Sequence, residues 1–323
     1  MRILVWHVHG SWTTAFVQGR HDYLLPVVPD RGPDGRGRAR TWDWPTSAVE
    51  VSPEALRDID FDVVVLQRPE EVRLVEEWTG RRPGVDVPAL YVEHDAPRAG
   101  AVDSVHPLAD QRAVPVVHVT QFNRTYWDNG SARTHVLEHG VLDPGYAYSG
   151  ASESLAVVVN EPARRWRTAG TDLVVALAEE LPVTVHGMGV DDLARRLEGS
   201  TAGKNLSVLD DLPQARLHEV LGTHRAYFHP YRWTSLGLSL IEAMMVGLPV
   251  LGLPATAAPE AVPAAAGVLS SDPDVLLATA RRWMADPDEA RERGLAAREH
   301  AVSAFGIERF LADADELLAE VTA

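Results

Sequence analysis

Short runs of branched apolar residues alternate with amphipathic stretches along the whole chain. The runs fall at 3–8, 62–66, 89–93 and 116–120 in the first half, then at 155–160, 183–186, 206–209, 226–229 and 249–253. Between them, 69–78, 171–181, 213–221 and 238–246 carry apolar residues at helical spacing. A strand apolar at successive positions is covered on both faces, and strands separated by helices pair in parallel. The pattern therefore predicts α/β architecture with doubly wound sheets. Periodicity breaks at 143–154, where Asp143, Pro144, Gly145 and several serines interrupt it, and beyond Pro273 the pattern is helical. Two Rossmann-like domains are expected, with ligands beyond the carboxyl ends of the strands, in a cleft that the two domains face. Segment 30–40, rich in Gly, Pro and Arg, is expected to form an exposed loop.

Composition narrows the chemistry. The 323 residues include no cysteine, which excludes a disulfide framework, thiolate catalysis and Cys-ligated metal. A net charge of −16 repels a phosphate polymer, so no nucleic-acid partner is expected. Lys204 is the only lysine, so a cationic contact to a small phosphate ligand falls to arginine, with its forked geometry. No run of about 18 apolar residues occurs, and no secretory pattern opens the chain. The expectation is a cytoplasmic protein without a transmembrane segment. Asp58, Asp60 and Asp62 spell an Asp-x-Asp pattern, but they precede a strand and so lie at its amino end. The thirteen histidines lack compact ligand spacing, and neither a metal nor a cofactor is expected.

The most informative segment runs from 227 to 253. A strand ends at His229-Pro230, a polar turn follows, and a helix opens near Gly237 and closes at Gly247. Thr234 or Ser235 is expected to N-cap that helix, leaving the N–H groups of Ser235, Leu236 and Gly237 free at its positive end. Such an end suits a diphosphate. Glu242, in the second turn, is placed for a carboxylate to accept two hydrogen bonds from a ribose diol. The same residues also fit a plain capped helix with one exposed Glu.

The run from Pro230 to Val250, with Glu242-Ala-Met-Met-Val-Gly-Leu-Pro249, resembles the donor-site signature of retaining GT-B glycosyltransferases of the sucrose-synthase-like and mannosyltransferase-like group. Glu242 matches the second Glu of the family's Glu-x7-Glu motif, which binds the nucleotide ribose, whereas Thr234 stands at the first Glu, which contacts the donor sugar. The resemblance implies the GT-B arrangement: an acceptor-side domain at 1–148, a nucleotide-sugar domain at 149–305, and a helix at 306–323 packing back on the first. It also implies that His94, closing the run Tyr91-Val92-Glu93-His94, orients the sugar. At the strand-to-helix junction 161–170 the family places an Arg and a Lys-Gly toward the diphosphate. Gly170 matches the Gly, Ala169 replaces the Lys, and Arg165, with Arg164 and Arg167, is expected to supply the charge. Gly10 and Gly187 sit at strand ends where a backbone approaches the donor, although neither forms a dinucleotide fingerprint. Trp12, Trp42, Trp44 and Trp127 serve equally as acceptor platforms or as core.

The resulting expectation is a metal-independent, retaining glycosyltransferase using a UDP- or GDP-sugar donor and an unidentified acceptor. A silent nucleotide-sugar-binding protein and a GT-B epimerase are the alternatives. A two-domain dehydrogenase is disfavoured, because the glycine fingerprint is missing.

Overall fold

The computed structural model describes residues 1–98 and 100–323. It divides into two compact units, Met1–Leu142 with Phe305–Ala323, and Asp143–Ala304.

In the first unit, seven parallel strands form one sheet: β1 (Arg2–Val5), β2 (Asp22–Pro26), β3 (Ala48–Val51), β4 (Val63–Leu66), β5 (Ala89–Glu93), β6 (Val116–His118) and β7 (Thr134–Val136). Their order is β3-β2-β1-β4-β5-β6-β7, and the helices are α1 (Gly10–Phe16), α2 (Glu70–Thr79) and α3 (Gln121–Tyr126). Strand alternation sends Val63 and Val65 to one face, with Trp12 and Phe16, and Val64 and Leu66 to the other, with Leu74 and Val75. Burial on both faces explains why β4 reads as an unbroken apolar run.

The second unit repeats the plan with β8 (Ser152–Val158), β9 (Val183–Gly187), β10 (Leu206–Asp210), β11 (His224–His229), β12 (Val250–Gly252) and β13 (Gly267–Leu269), ordered β10-β9-β8-β11-β12-β13. Its helices are α4 (Thr171–Ala178), α5 (Asp191–Arg196), α6 (Thr201–Asn205), α7 (Gln214–Leu221), α8 (Leu238–Val246), α9 (Ala258–Ala261), α10 (Pro273–Ala285) and α11 (Pro287–Phe305). The order reverses direction between β8 and β11, which opens a crevice at their carboxyl ends. The last helix, α12 (Ile307–Thr322), returns to the first unit, where Phe310, Ala314, Leu317 and Leu318 join the core beside Trp12. Gly140 makes room for it, since a Cβ there would stand 2.3 Å from that of Phe310.

Segment 30–40 is not the exposed loop its composition suggests. Gly35 and Gly37 are buried, Arg31 forks onto Glu50 at 2.8 and 2.9 Å, and Trp6 Nε1 donates to the Asp34 carbonyl at 2.9 Å. Small residues let the backbone press onto the sheet edge, and a distant carboxylate neutralises the arginine. Trp12 and Trp44 are core, the latter donating to Thr14 Oγ1 at 2.9 Å. Trp42 and Trp127 are half-buried.

A buried polar chain crosses the second sheet. Ser152 and Ser154 hydroxyls lie 2.7 Å apart, Ser154 meets His224 Nδ1 at 2.7 Å, and His224 Nε2 lies 3.3 Å from His186 Nε2. Desolvation pushes His224 down to about 4, and desolvation plus the facing ring pushes His186 down to about 3. These folded-state values lie below the unfolded 6.5, so below pH 6.5 the unfolded chain binds protons that the folded chain refuses. The stability present above 6.5 is therefore lost as pH falls toward 4. The urea midpoint is expected to drop steadily across that window in wild type and less steeply in His224→Asn. Parallel profiles for the two proteins would refute this account.

Candidate functional site

In the second unit the site assembles from the ends of four adjacent strands, β10, β9, β8 and β11. Gly187 closes β9 at φ +134°, a conformation L side chains rarely adopt, and a Cβ there would lie 2.4 Å from the Val159 carbonyl. Immediately beyond, Met188 N–H donates to Asn160 Oδ1 at 2.9 Å, and Gly189 N–H donates to Asp210 Oδ1 at 2.8 Å. The ends of β8, β9 and β10 are thereby tied together. Gly170, the N-cap of α4, has φ +72°, and a Cβ would fall 1.9 Å from the Pro230 carbonyl. That close approach presses the turn after β8 against the turn after β11.

The three candidate arginines of the first turn differ in what holds them. Arg164 is ion-paired with Glu161, and Arg167 with Asp172, whose carboxylate also takes both terminal nitrogens of Arg232 at 2.6 and 2.8 Å. Arg165 has no carboxylate partner among the described residues; its guanidinium lies 5.6 Å from the Tyr231 ring centroid. Ala169 is fully buried core, so no side chain at that position reaches a ligand.

The turn after β11 corrects one expectation. Neither Thr234 nor Ser235 caps α8. The N-cap is Gly237 at φ −69°, ψ 121°, with no side-chain cap bond. Ser-Leu-Gly-Leu-Ser offers several local starts, and the chain takes the later one, with Leu236 before it buried. Ser235 is buried with its hydroxyl unpartnered, and Thr234 is half-buried. Among the described residues no protein acceptor pairs with the N–H groups of Ser235, Leu236 or Gly237. Against Gly237 lies His229, 1% exposed, with both ring nitrogens unpartnered among the described residues and its Cε1 3.4 Å from where a Gly237 Cβ would stand. Desolvation drives this imidazole down to about 4, so it is neutral at pH 7. The sequence did not single out His229, although its place at a strand end before Pro230 was a usable signal.

Glu242 is 5% exposed on α8. Its Oε2 lies 3.7 Å from His218 Nε2 on α7, and that nitrogen also meets Gln214 Nε2 at 2.9 Å. His218 was not foreseen either, because α7 and α8 are brought together only by the sheet beneath them.

The first unit carries a cavity of about 720 Å³ beyond β4 and β5, lined by His9, Gln67, Arg68, Glu93, His94 and Trp127 among others. His94 is 9% exposed; its Nε2 lies 3.0 Å from Gln67 Oε1, and its ring centroid is 4.0 Å from that of His9. Burial, with His9 and His139 nearby, holds His94 well below the usual imidazole range. Glu93 takes the Asp95 N–H at 2.7 Å and meets His106 Nε2 at 3.0 Å. Gly10 begins α1, and the nearest atom to a Cβ there is 3.8 Å away, so space does not require glycine.

Asp62 accepts the Arg2 N–H at 2.7 Å and Asp60 pairs with Arg81 at 3.0 Å, both just before β4. Among the described residues no group of three or more His, Asp or Glu could hold a metal ion, and no helix is long and apolar enough to cross a membrane.

Comparison with known proteins adds the following. The family described as "Glycosyl transferases group 1" matches residues 170–300. No curated protein matches the sequence significantly. Among solved structures, sucrose-phosphate synthase from Thermosynechococcus elongatus is similar at 14% identity and TM-score 0.77, over 99% of each chain. Anabaena HepE, solved in complex with UDP, is similar at 12% identity and TM-score 0.75, over 99% of this chain and 100% of that one. TarM from S. aureus, also solved with UDP, is 14% identical at TM-score 0.62, over 79% of this chain and 55% of that one. These likenesses establish the GT-B fold of two Rossmann-like domains.

Proposed function

We propose that the protein transfers a sugar from a nucleotide-diphosphate donor to an acceptor, with retention of anomeric configuration and without a metal ion. The observation that carries this reading is the beginning of α8. Among the described residues the N–H groups of Ser235, Leu236 and Gly237 have no protein acceptor, the neutral His229 ring lies against Gly237, and the Glu242 carboxylate is in the helix that follows. Backbone donors and the helix dipole suit a diphosphate. A neutral His229 adds no positive charge beside those donors, and Arg165 adds a charge that is ion-paired to no carboxylate among the described residues. Glu242 accepts from the ribose diol, while Thr234 faces the donor sugar and Gly187 lets the backbone approach the base. His94 holds a sugar hydroxyl. UDP and GDP are both compatible with these roles.

In the reaction, the acceptor oxygen bonds to the anomeric carbon as the bond from that carbon to the diphosphate oxygen breaks. The acceptor's proton passes to the leaving phosphate oxygen, whose growing charge the α8 amides and Arg165 stabilise.

Thr234, at the position of the first motif Glu, supports a second reading: a protein that binds nucleotide sugar without turning it over. Thermal unfolding with UDP, GDP and their sugars tests both. A rise in midpoint is expected with one nucleotide series, because a ligand selective for the folded form stabilises it. No shift with any nucleotide overturns both readings. Binding without sugar release, restored to turnover in Thr234→Glu, selects the second. If donor alone yields an isomerised sugar, an epimerase replaces the transferase.

A further inference from the structure

We infer that Gln67 is a positioning residue: it locks His94 in one tautomer, so that the ring offers the cavity a hydrogen-bond acceptor at Nδ1 and selects a substrate hydroxyl there. The reading of that hydroxyl as a sugar's rests on the function proposed above; the tautomer does not.

The argument begins at a backbone carbonyl. Gln67 follows the last residue of β4, and its Nε2 lies 2.7 Å from the Trp6 carbonyl oxygen. A carbonyl only accepts, so the amide's NH2 faces Trp6 and its oxygen faces the other way, whatever the assignment of the two amide atoms elsewhere. That oxygen, Oε1, is 3.0 Å from His94 Nε2. An amide oxygen cannot donate, so the proton of this bond sits on His94 Nε2. Burial and the neighbouring His9 and His139 keep the ring neutral, which leaves Nδ1 as an unprotonated lone pair. Among the described residues Nδ1 has no partner, and His94 lines the 720 Å³ cavity.

Gln67 is itself firmly held. Its backbone N–H donates to Glu71 Oε2 at 2.7 Å, and the fully buried Glu71 is in turn bound by Arg68 Nε at 2.8 Å. Desolvation raises the Glu71 carboxyl to about 7, with the Gln67 N–H and Arg68 opposing the rise. The side chain that sets the tautomer is thus fixed from both ends. A group meeting Nδ1 must donate, so a hydroxyl fits and an ether, carbonyl or phosphate oxygen does not.

Nitrogen-15 spectra of the full-length protein test this directly, with the His94 signals assigned by their loss in His94→Gln. Wild type is expected to show a protonated Nε2 and an unprotonated Nδ1. Gln67→Leu is expected to give a tautomer mixture. A protonated Nδ1 in wild type overturns the inference, and so does an unchanged tautomer in Gln67→Leu. In donor binding, Gln67→Leu is expected to lose about tenfold in affinity, the effect of one hydrogen bond. Donors deoxygenated one position at a time should include one whose binding the variant does not weaken further; equal weakening for all of them refutes the hydroxyl contact. If no nucleotide sugar binds, the proposed function fails while the spectra still decide the tautomer.

Discussion

Gly170→Ala is expected to destabilise the protein by about 2–5 kcal/mol. A non-glycine residue at φ +72° costs about 1–2 kcal/mol, and forcing a Cβ against a carbonyl adds about 1–3 kcal/mol of overpacking. The Cβ would stand 1.9 Å from the Pro230 oxygen, and its target is backbone, which has no flexible end to swing aside. Gly189→Ala supplies the control. Its φ is +68°, but the nearest atom is 3.7 Å away, so only the conformational cost applies. Urea unfolding should show a much lower midpoint for Gly170→Ala than for Gly189→Ala, with unchanged slopes. Equal losses would mean that the two turns are not packed as described. Because the shift pushes Pro230 and the start of α8 outward, the folded fraction of Gly170→Ala should also bind nucleotide more weakly.

Glu242→Ala is expected to lower nucleotide affinity about 30-fold or more while leaving the fold intact. Hydrogen bonds to a charged group contribute about 1.5–3 kcal/mol, and a ribose diol makes two, which combine with less than full additivity. Glu242→Gln retains one acceptor oxygen and should fall between Ala and wild type. Stability should change little, because the carboxylate's neighbour His218 stays hydrogen-bonded to Gln214 when Glu242 is shortened. Titration calorimetry with UDP and GDP measures the effect. Wild-type affinity in Glu242→Ala would remove the central premise of the proposed donor site.

How far these features could be anticipated depends on whether the signal is local. Strand β5 and helix α8 have the bounds that their patterns predict, 89–93 and 238–246. Both are buried over most of their length, so burial writes their limits into consecutive residues. Strands β2, β3, β7 and β13 were not anticipated. Two of them, β7 and β13, are mostly half-buried, and β3 has an exposed residue in its middle, so burial leaves no apolar run to register, whereas the equally short β6 and β12 are buried throughout. The N-cap at Gly237 was misplaced because serine and threonine are the stronger capping residues, and the folded chain does not follow that preference.

The chain's own pattern determined the α/β class, the helical end and the run around Glu242, since each depends on residues close in sequence whose periodicity or spacing is preserved in the fold. Tertiary structure alone decided that, of Arg164, Arg165 and Arg167, Arg165 is the one without an ion-paired carboxylate among the described residues, that His229 lies against Gly237, and that Gln67 sets the proton of a histidine 27 positions away. Those outcomes turn on which distant groups compete for the same partner, and a hydrogen bond or ion pair is assigned only when folding has brought the competitors within about 3 Å of one another.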